Sequence, residues 1–223
     1  MQLKNALDGF QAEFMAKAPP EVREALARAD LDLAAAGVVD GALKAGDRAP
    51  DFVLPEARGG VVRLSGLLAA GPVVLSFYRG GWCPYCRFEL CALQDVLPEI
   101  QRRGASLAAI SPQRPDESRS TAERNALAFP VLSDVGNVVA TAFGLTFDLA
   151  RELRPIYARF GHALPDVNGD ESWRLPVPAT YVIDQDHSIA LAFIDIDYRN
   201  SLEPTEIIAT LGSLARGGAP ARA

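Results

Sequence analysis

Residues 71–86, GPVVLSFYRGGWCPYC, constrain the fold more than any other stretch of this chain. An apolar run this short, led in by Gly-Pro, reads as a strand buried on both faces. Such a strand needs a packed layer on each side, as in α/β architectures. Arg79-Gly80-Gly81 then breaks the run. Pro84 suits the first position of a helix, where a missing N–H costs nothing. Beyond it Phe88, Cys91, Ala92, Val96 and Leu97 recur on one side, as a helix packed on the strand would place them. A buried strand therefore feeds a helix through a short glycine loop, and the loop carries sulfur.

Downstream the same alternation continues. ASLAAISP and FPVLSD read as strands, PDESRSTAERNALA and NVVATAFGL as helices. PATYVIDQDHSIALAFI reads as two strands about an Asp-containing turn, and PTEIIATLGSLA as a closing helix that starts at Pro204. The pattern predicts a mixed central sheet flanked by helices in a domain spanning 44–215. A short tail, 216–223, reads as flexible. Residues 1–43 read as a helical extension, its second helix restarting after Pro19-Pro20. Helices in that place either cap the core or form a homodimer interface. One insertion, about 147–175, breaks the alternation: an extra helix in LARELRPIYARF, then a long loop GHALPDVNGDESWRLP. Loops of that length serve as lids or binding segments.

The totals exclude several classes. Net charge is −6 with a pI near 5.0, and the basic residues are scattered, which argues against a nucleic-acid partner. No apolar run is long enough to span a membrane, and the first residues lack the apolar segment of a secretory signal, so a cytoplasmic protein is expected. There, stable structural disulfides are rare and clustered cysteines are catalytic or metal-binding. Metal fits poorly: the chain has three cysteines, all within 83–91, and its histidines, His162 and His187, are distant in sequence with no local partners. No metal and no cofactor are expected.

Cys83 and Cys86 stand at the predicted helix start, three apart, on one face where their side chains can meet. Free N–H groups and the helix dipole there favour thiolate, the reactive form. Cys-x-x-Cys between a strand and a helix is a thioredoxin-like redox signal. Trp82, just before the pair, is placed to shield a disulfide or contact partners. Arg79 is either a cation beside the thiolate or a surface charge.

The order GDRAPDFVLP, GPVVLSFYRGGWCPYC, AISPQRPDE, FPVLSD, ATYVIDQDHSI resembles peroxiredoxins of the alkyl hydroperoxide reductase/thiol-specific antioxidant family. Cys-Pro-Tyr-Cys itself is similar to the glutaredoxin form of the thioredoxin motif. The resemblance implies a thioredoxin-like fold. It also implies a thiol peroxidase that takes a hydroperoxide and is reset by a thioredoxin- or glutaredoxin-like protein or a low-molecular-weight thiol. Laid onto this sequence, the family's Pro-x-x-x-Thr-x-x-Cys motif puts Pro on Arg79, Thr on Cys83 and the peroxide-attacking cysteine on Cys86. The family's later arginine falls on Pro178, which resembles the cis-proline facing the pair in thioredoxins. A cis Val177–Pro178 bond with its ring near Cys83 is therefore expected.

Cys91 is five after Cys86, a spacing similar to the resolving cysteine of Q-type peroxiredoxins. Residues five apart on a helix diverge, so a Cys86–Cys91 disulfide requires unwinding, whereas Cys83–Cys86 closes without it. Cys91 is expected in the core. Three functions fit: a peroxidase, with Cys86 attacking peroxide; a general thiol–disulfide oxidoreductase, with Cys83 attacking a partner disulfide; or a non-enzymatic redox-sensing interaction module.

Overall fold

The computed structural model describes residues 2–217. Two helices come first, α1 (Leu3–Lys17) and α2 (Pro20–Ala35). The backbone N–H groups of Leu3 and Lys4 donate to the Glu203 carboxylate at 3.3 and 2.8 Å, so a distant side chain caps α1. The segment that follows packs into the core: Ala42, Ala49 and Phe52 are buried there, and Leu43 N–H bonds to the Phe143 carbonyl at 3.1 Å.

The hairpin β1 (Val53–Pro55) and β2 (Val61–Arg63) leads through α3 (Leu64–Leu68) to β3 (Val73–Phe77). Then come α4 (Pro84–Arg102), β4 (Ser106–Ser111), α5 (Pro115–Arg124), β5 (Val131–Ser133), α6 (Val138–Ala142) and β6 (Thr146–Asp148). A 3₁₀ turn at Arg151–Leu153 precedes α7 (Arg154–Arg159), α8 (Leu164–Asn168) and β7 (Arg174–Pro176). The chain closes with β8 (Ala179–Ile183), β9 (Ile189–Ile194) and α9 (Pro204–Gly217). The predicted tail lies outside the described residues from 218 onward.

Strand order in the main sheet is β5-β4-β3-β8-β9, with β3, β4 and β5 parallel and β8 and β9 antiparallel to their neighbours. This is a thioredoxin-like α/β fold with a mixed sheet. All five residues of β3 are buried, as its apolar run requires. Val73, Leu75 and Phe77 pack on one side with α3 and α6; Val74 and Tyr78 pack on the other with α4 and α9.

The insertion corrects one expectation. The stretch read as a loop contains α8 and β7, and β7 pairs with β6 to close the insertion as a ribbon. A three-residue strand is too short to carry a legible period. A third apolar cluster joins the insertion to the extension: Val22, Leu26 and Ala29 of α2 pack on Leu149, Leu153, Tyr157, Leu164 and Leu175. Extension and insertion thus form one added layer, and Trp82 touches it from below.

Candidate active site around Cys83 and Cys86

The loop between β3 and α4 is shaped by its glycines. Gly80 has φ +149, and a Cβ there would lie 2.3 Å from Trp82 Nε1. A Cβ on Gly81 would lie 2.1 Å from Thr121 Oγ1. Only residues without side chains let the loop pass this close to α5 and fold Trp82 back over itself. Gly81 N–H donates to Gln113 Oε1 at 2.8 Å, which fixes the loop to the end of β4.

Cys83 is the N-cap of α4 and Pro84 its first residue, as the sequence predicted. Cys83, Cys86 and Arg79 are each only 2% exposed. Burial of Arg79 settles its alternative readings: it is no surface charge. Its guanidinium lies over the rings of Tyr198 at 4.2 Å, Trp82 at 5.1 Å and Tyr157 at 5.6 Å, and donates to the Tyr157 hydroxyl. Its Nε has no hydrogen-bond partner. Among the described residues no carboxylate lies within hydrogen-bond reach of it, and Asp30 on α2 is paired to Arg199 at 2.7 Å. A desolvated cation without a carboxylate partner favours an anion nearby.

The two sulfurs differ accordingly. Cys83 is lowered to about 6, chiefly because the Cys86 thiol is its hydrogen-bond donor; Arg79 and the backbone N–H groups of Cys86 and Tyr85 add to this against the cost of burial. Cys86 is raised well above the ordinary thiol value, first by burial and then by the neighbouring Cys83 sulfur.

Cys83 opens on a cavity of about 280 Å³. Its walls come from α1 (Phe10, Phe14), α2 (Leu26), the α4 turn (Trp82, Pro84, Tyr85), the insertion (Tyr157, Phe160, His162), Arg79 and Tyr198. Cys86 is not among the lining residues. Sequence reasoning missed most of these walls. Phe10 and Phe14 read only as periodic apolar residues. Tyr157, His162 and Tyr198 sit in segments with no local signal, and His162 finds its partner only in the fold, stacked on Trp82 with ring centroids 5.1 Å apart.

The AhpC/TSA family model matches residues 45–192. The chain belongs to that family. Rv1608c of Mycobacterium tuberculosis, assigned to the peroxiredoxins, is 31% identical over 175 residues, covering 78% of this chain and all of the relative. Peroxiredoxin Bcp of Escherichia coli is 35% identical over 103 residues, 46% of this chain and 65% of Bcp. Among solved structures, peroxidoxin BcpB of M. tuberculosis has a TM-score of 0.60 at 29% identity, covering 77% of this chain and 98% of that one. Xylella fastidiosa PrxQ shares the fold with a TM-score of 0.61 at 17% identity, covering 78% and 98%. This AhpC/TSA chain is a peroxiredoxin-type oxidoreductase, a thiol peroxidase with Cys83 and Cys86 as its redox pair. Its partners are those of the type: a hydroperoxide and a thiol reductant. Helices α1 and α2, which roof the cavity, lie outside the family match. Among the described residues no helix is long and apolar enough to cross a membrane.

Two expectations need correction. The described residues contain no cis peptide bond, so Val177–Pro178 is trans. The chain runs extended from β7 into β8, with Val177 N–H on the Leu145 carbonyl at 2.7 Å, and no tight turn calls for a cis bond. Pro178 is buried just before Ala179, the partner of Phe77, and does not line the cavity. Cys91 is half-buried rather than in the core, its sulfur 3.9 Å from Asn125 Oδ1 on the far end of α5. The face of α4 it occupies is only partly covered there.

Beneath the pair lies a carboxyl that sequence reading also missed. Glu89, one turn after Cys86, is buried and accepts from Ser76 and Thr180 on Oε1 and from Ser201 on Oε2, each at 3.1 Å. It ties α4 to β3, to β8 and to the loop before α9. Burial pushes its pKa up, because the three hydroxyls do not fully replace water. Glu89→Ala is expected to cost about 3 kcal/mol in urea unfolding, since it orphans buried hydroxyls. Glu89→Gln should cost much less. A raised carboxyl contributes stability at pH below its unfolded value and loses it as pH rises through the folded one. The gap between wild type and Glu89→Gln should therefore shift toward Gln as pH rises above the ordinary carboxylate range.

Proposed function

We propose that Cys83 is the sulfur that attacks the hydroperoxide and that Cys86 resolves it. The observation that carries this reading is the asymmetry of the pair: the acidified sulfur is the one facing the cavity. The Cys83 thiolate attacks the terminal hydroxyl oxygen of ROOH. An S–O bond forms, the O–O bond breaks, and the departing RO⁻ takes up a proton to leave as ROH. Cys83 is now sulfenic acid. Cys86 sulfur attacks it, water leaves with the Cys86 proton, and a Cys83–Cys86 disulfide remains. Two electrons from a thiol reductant then restore the dithiol. The reading reverses the roles that the family motif implies for positions 83 and 86. A dithiol that must be reset every turnover suits the reducing cytosol.

Arg79 serves as counter-ion to the thiolate, and its unpartnered Nε–H is available to the peroxide oxygen. It would thereby supply the positive charge that the family's arginine brings from the position of Pro178. Ultraviolet titration of the reduced protein at 240 nm tests the assignment. Thiolate absorbance should appear with a midpoint near 6, about three units below an ordinary thiol, and vanish in Cys83→Ser. The rate of peroxide reduction should hold above that midpoint and fall as pH drops through it. A low-pH thiolate that survives Cys83→Ser would refute the assignment.

A further inference from the structure

We infer that the cavity over Cys83 is also the entry site of a low-molecular-weight thiol that reduces the disulfide, with His162 as the base that takes the thiol's proton. The inference rests on the reading of Cys83 as the cavity-facing sulfur of a Cys83–Cys86 disulfide. Thiol–disulfide exchange needs an attacking sulfur in line with a disulfide sulfur. Both cysteines are 2% exposed, and among the described residues the approach to Cys83 runs through a space of about 280 Å³ under α1, α2 and the insertion. That volume holds a small molecule, whereas the active-site loop of a protein dithiol would have to displace Phe10, Phe14 or Phe160.

His162 is the one cavity-lining group able to accept a proton near neutral pH. Its ring packs at a tilt against Trp82 and stands near Tyr157 and Phe160, with centroids at 6.2 and 6.3 Å. The titratable or charged groups facing the same space are Arg79 from the end of β3, Cys83 and Tyr85 from the α4 turn, Tyr157 from α7 and Tyr198. No carboxylate lines it. Burial and Arg79 both hold the imidazole neutral, the form that accepts a proton.

The exchange balances as follows. His162 takes the proton of RSH. The RS⁻ sulfur attacks Cys83, the Cys83–Cys86 bond breaks, and Cys86 receives the electron pair and then a proton. A second RSH, deprotonated the same way, attacks the R sulfur; RSSR leaves and Cys83 returns to thiolate. Access rather than leaving-group acidity directs attack to Cys83, because Cys86 does not reach the cavity.

The test uses full-length protein oxidised with diamide, so it does not depend on peroxide activity. Reduction is followed by stopped-flow Trp fluorescence, with 2-mercaptoethanol and dithiothreitol as small thiols and thioredoxin as the protein dithiol. Thioredoxin should be no faster than dithiothreitol at equal concentration. His162→Phe, which keeps a ring on Trp82, and His162→Gln should each slow reduction by 2-mercaptoethanol about 10- to 100-fold at pH 6.5, the size of a general-base contribution. The deficit should close near pH 9.5, where the thiol ionises unaided; a merely structural role for His162 would leave it in place. Thioredoxin faster by about tenfold or more, or a deficit equal at both pH values, overturns the inference. A separate mix of reduced wild-type protein with hydrogen peroxide tests the peroxidase reading. Failure there with success in the diamide arm refutes only the peroxidase reading. A protein that forms no Cys83–Cys86 disulfide with diamide overturns both.

Discussion

Cys83→Ser is expected to abolish peroxide reduction, by a factor of about 10⁴ or more, because a serine hydroxyl at this site has no thiolate form to attack with. Cys86→Ser should behave differently. Its hydroxyl can still donate toward the Cys83 sulfur, so the first oxidation should slow by no more than about tenfold, the worth of a weakened hydrogen bond. The reaction should then stall, with Cys83 held as sulfenic acid and one equivalent of peroxide consumed. Stopped-flow Trp fluorescence separates the two variants, since Trp82 adjoins the pair and lines its cavity. A sulfenic-acid probe with peptide mapping identifies the oxidised sulfur. Rapid labelling of Cys86 in Cys83→Ser would sink the assignment and restore the order implied by the family motif. Cys91 should remain alkylatable in wild-type protein after one turnover, because its sulfur faces Asn125 at the C-cap of α5, on a different side of α4 from Cys86.

How far the sequence reached depends on whether a property is local. The strand, the glycine turn and the helix start are written into residues 71–86, and each element appears there. The mixed sheet follows from alternation of apolar runs and helices. What the sequence did not disclose arises where distant segments meet. Arg79 next to two glycines reads equally well as a loop charge. Only Tyr157, 78 positions on, and Tyr198 make it a buried cation. His162 lacks partners within its own segment because its partner is Trp82. The extension reads as a pair of ordinary amphipathic helices, yet Phe10, Phe14 and Leu26 wall the cavity and α2 is the insertion's packing partner. Pro178 erred in the other direction: a family landmark was transferred to a position whose backbone is simply the extended lead into β8.

Arg79→Met is the second large expected effect, and it separates the sources of the thiolate. The Cys86 thiol contributes most to the lowering of Cys83, with Arg79 the next favourable influence. Losing a buried opposite charge should raise the Cys83 midpoint by about 1–2 units. At neutral pH that takes the thiolate from the major form to half or less and slows peroxide reduction by up to about tenfold. If the unpartnered Nε–H serves the peroxide oxygen, its loss should add about another tenfold or more, as removal of a preorganised donor does elsewhere. Arg79→Lys keeps the charge but not the planar fork that spans Tyr157 and the ring stack, so it should fall between. Stability should move little or even rise in Arg79→Met, because a buried cation without a carboxylate partner is costly to hold. Urea unfolding alongside the 240 nm titration therefore distinguishes lost chemistry from lost structure. If Arg79→Met titrates near 6 and reacts at the wild-type rate, the thiolate is held by Cys86 and the helix terminus alone. The guanidinium in its cage of rings would then be structural, and the counter-ion role assigned to it would be wrong.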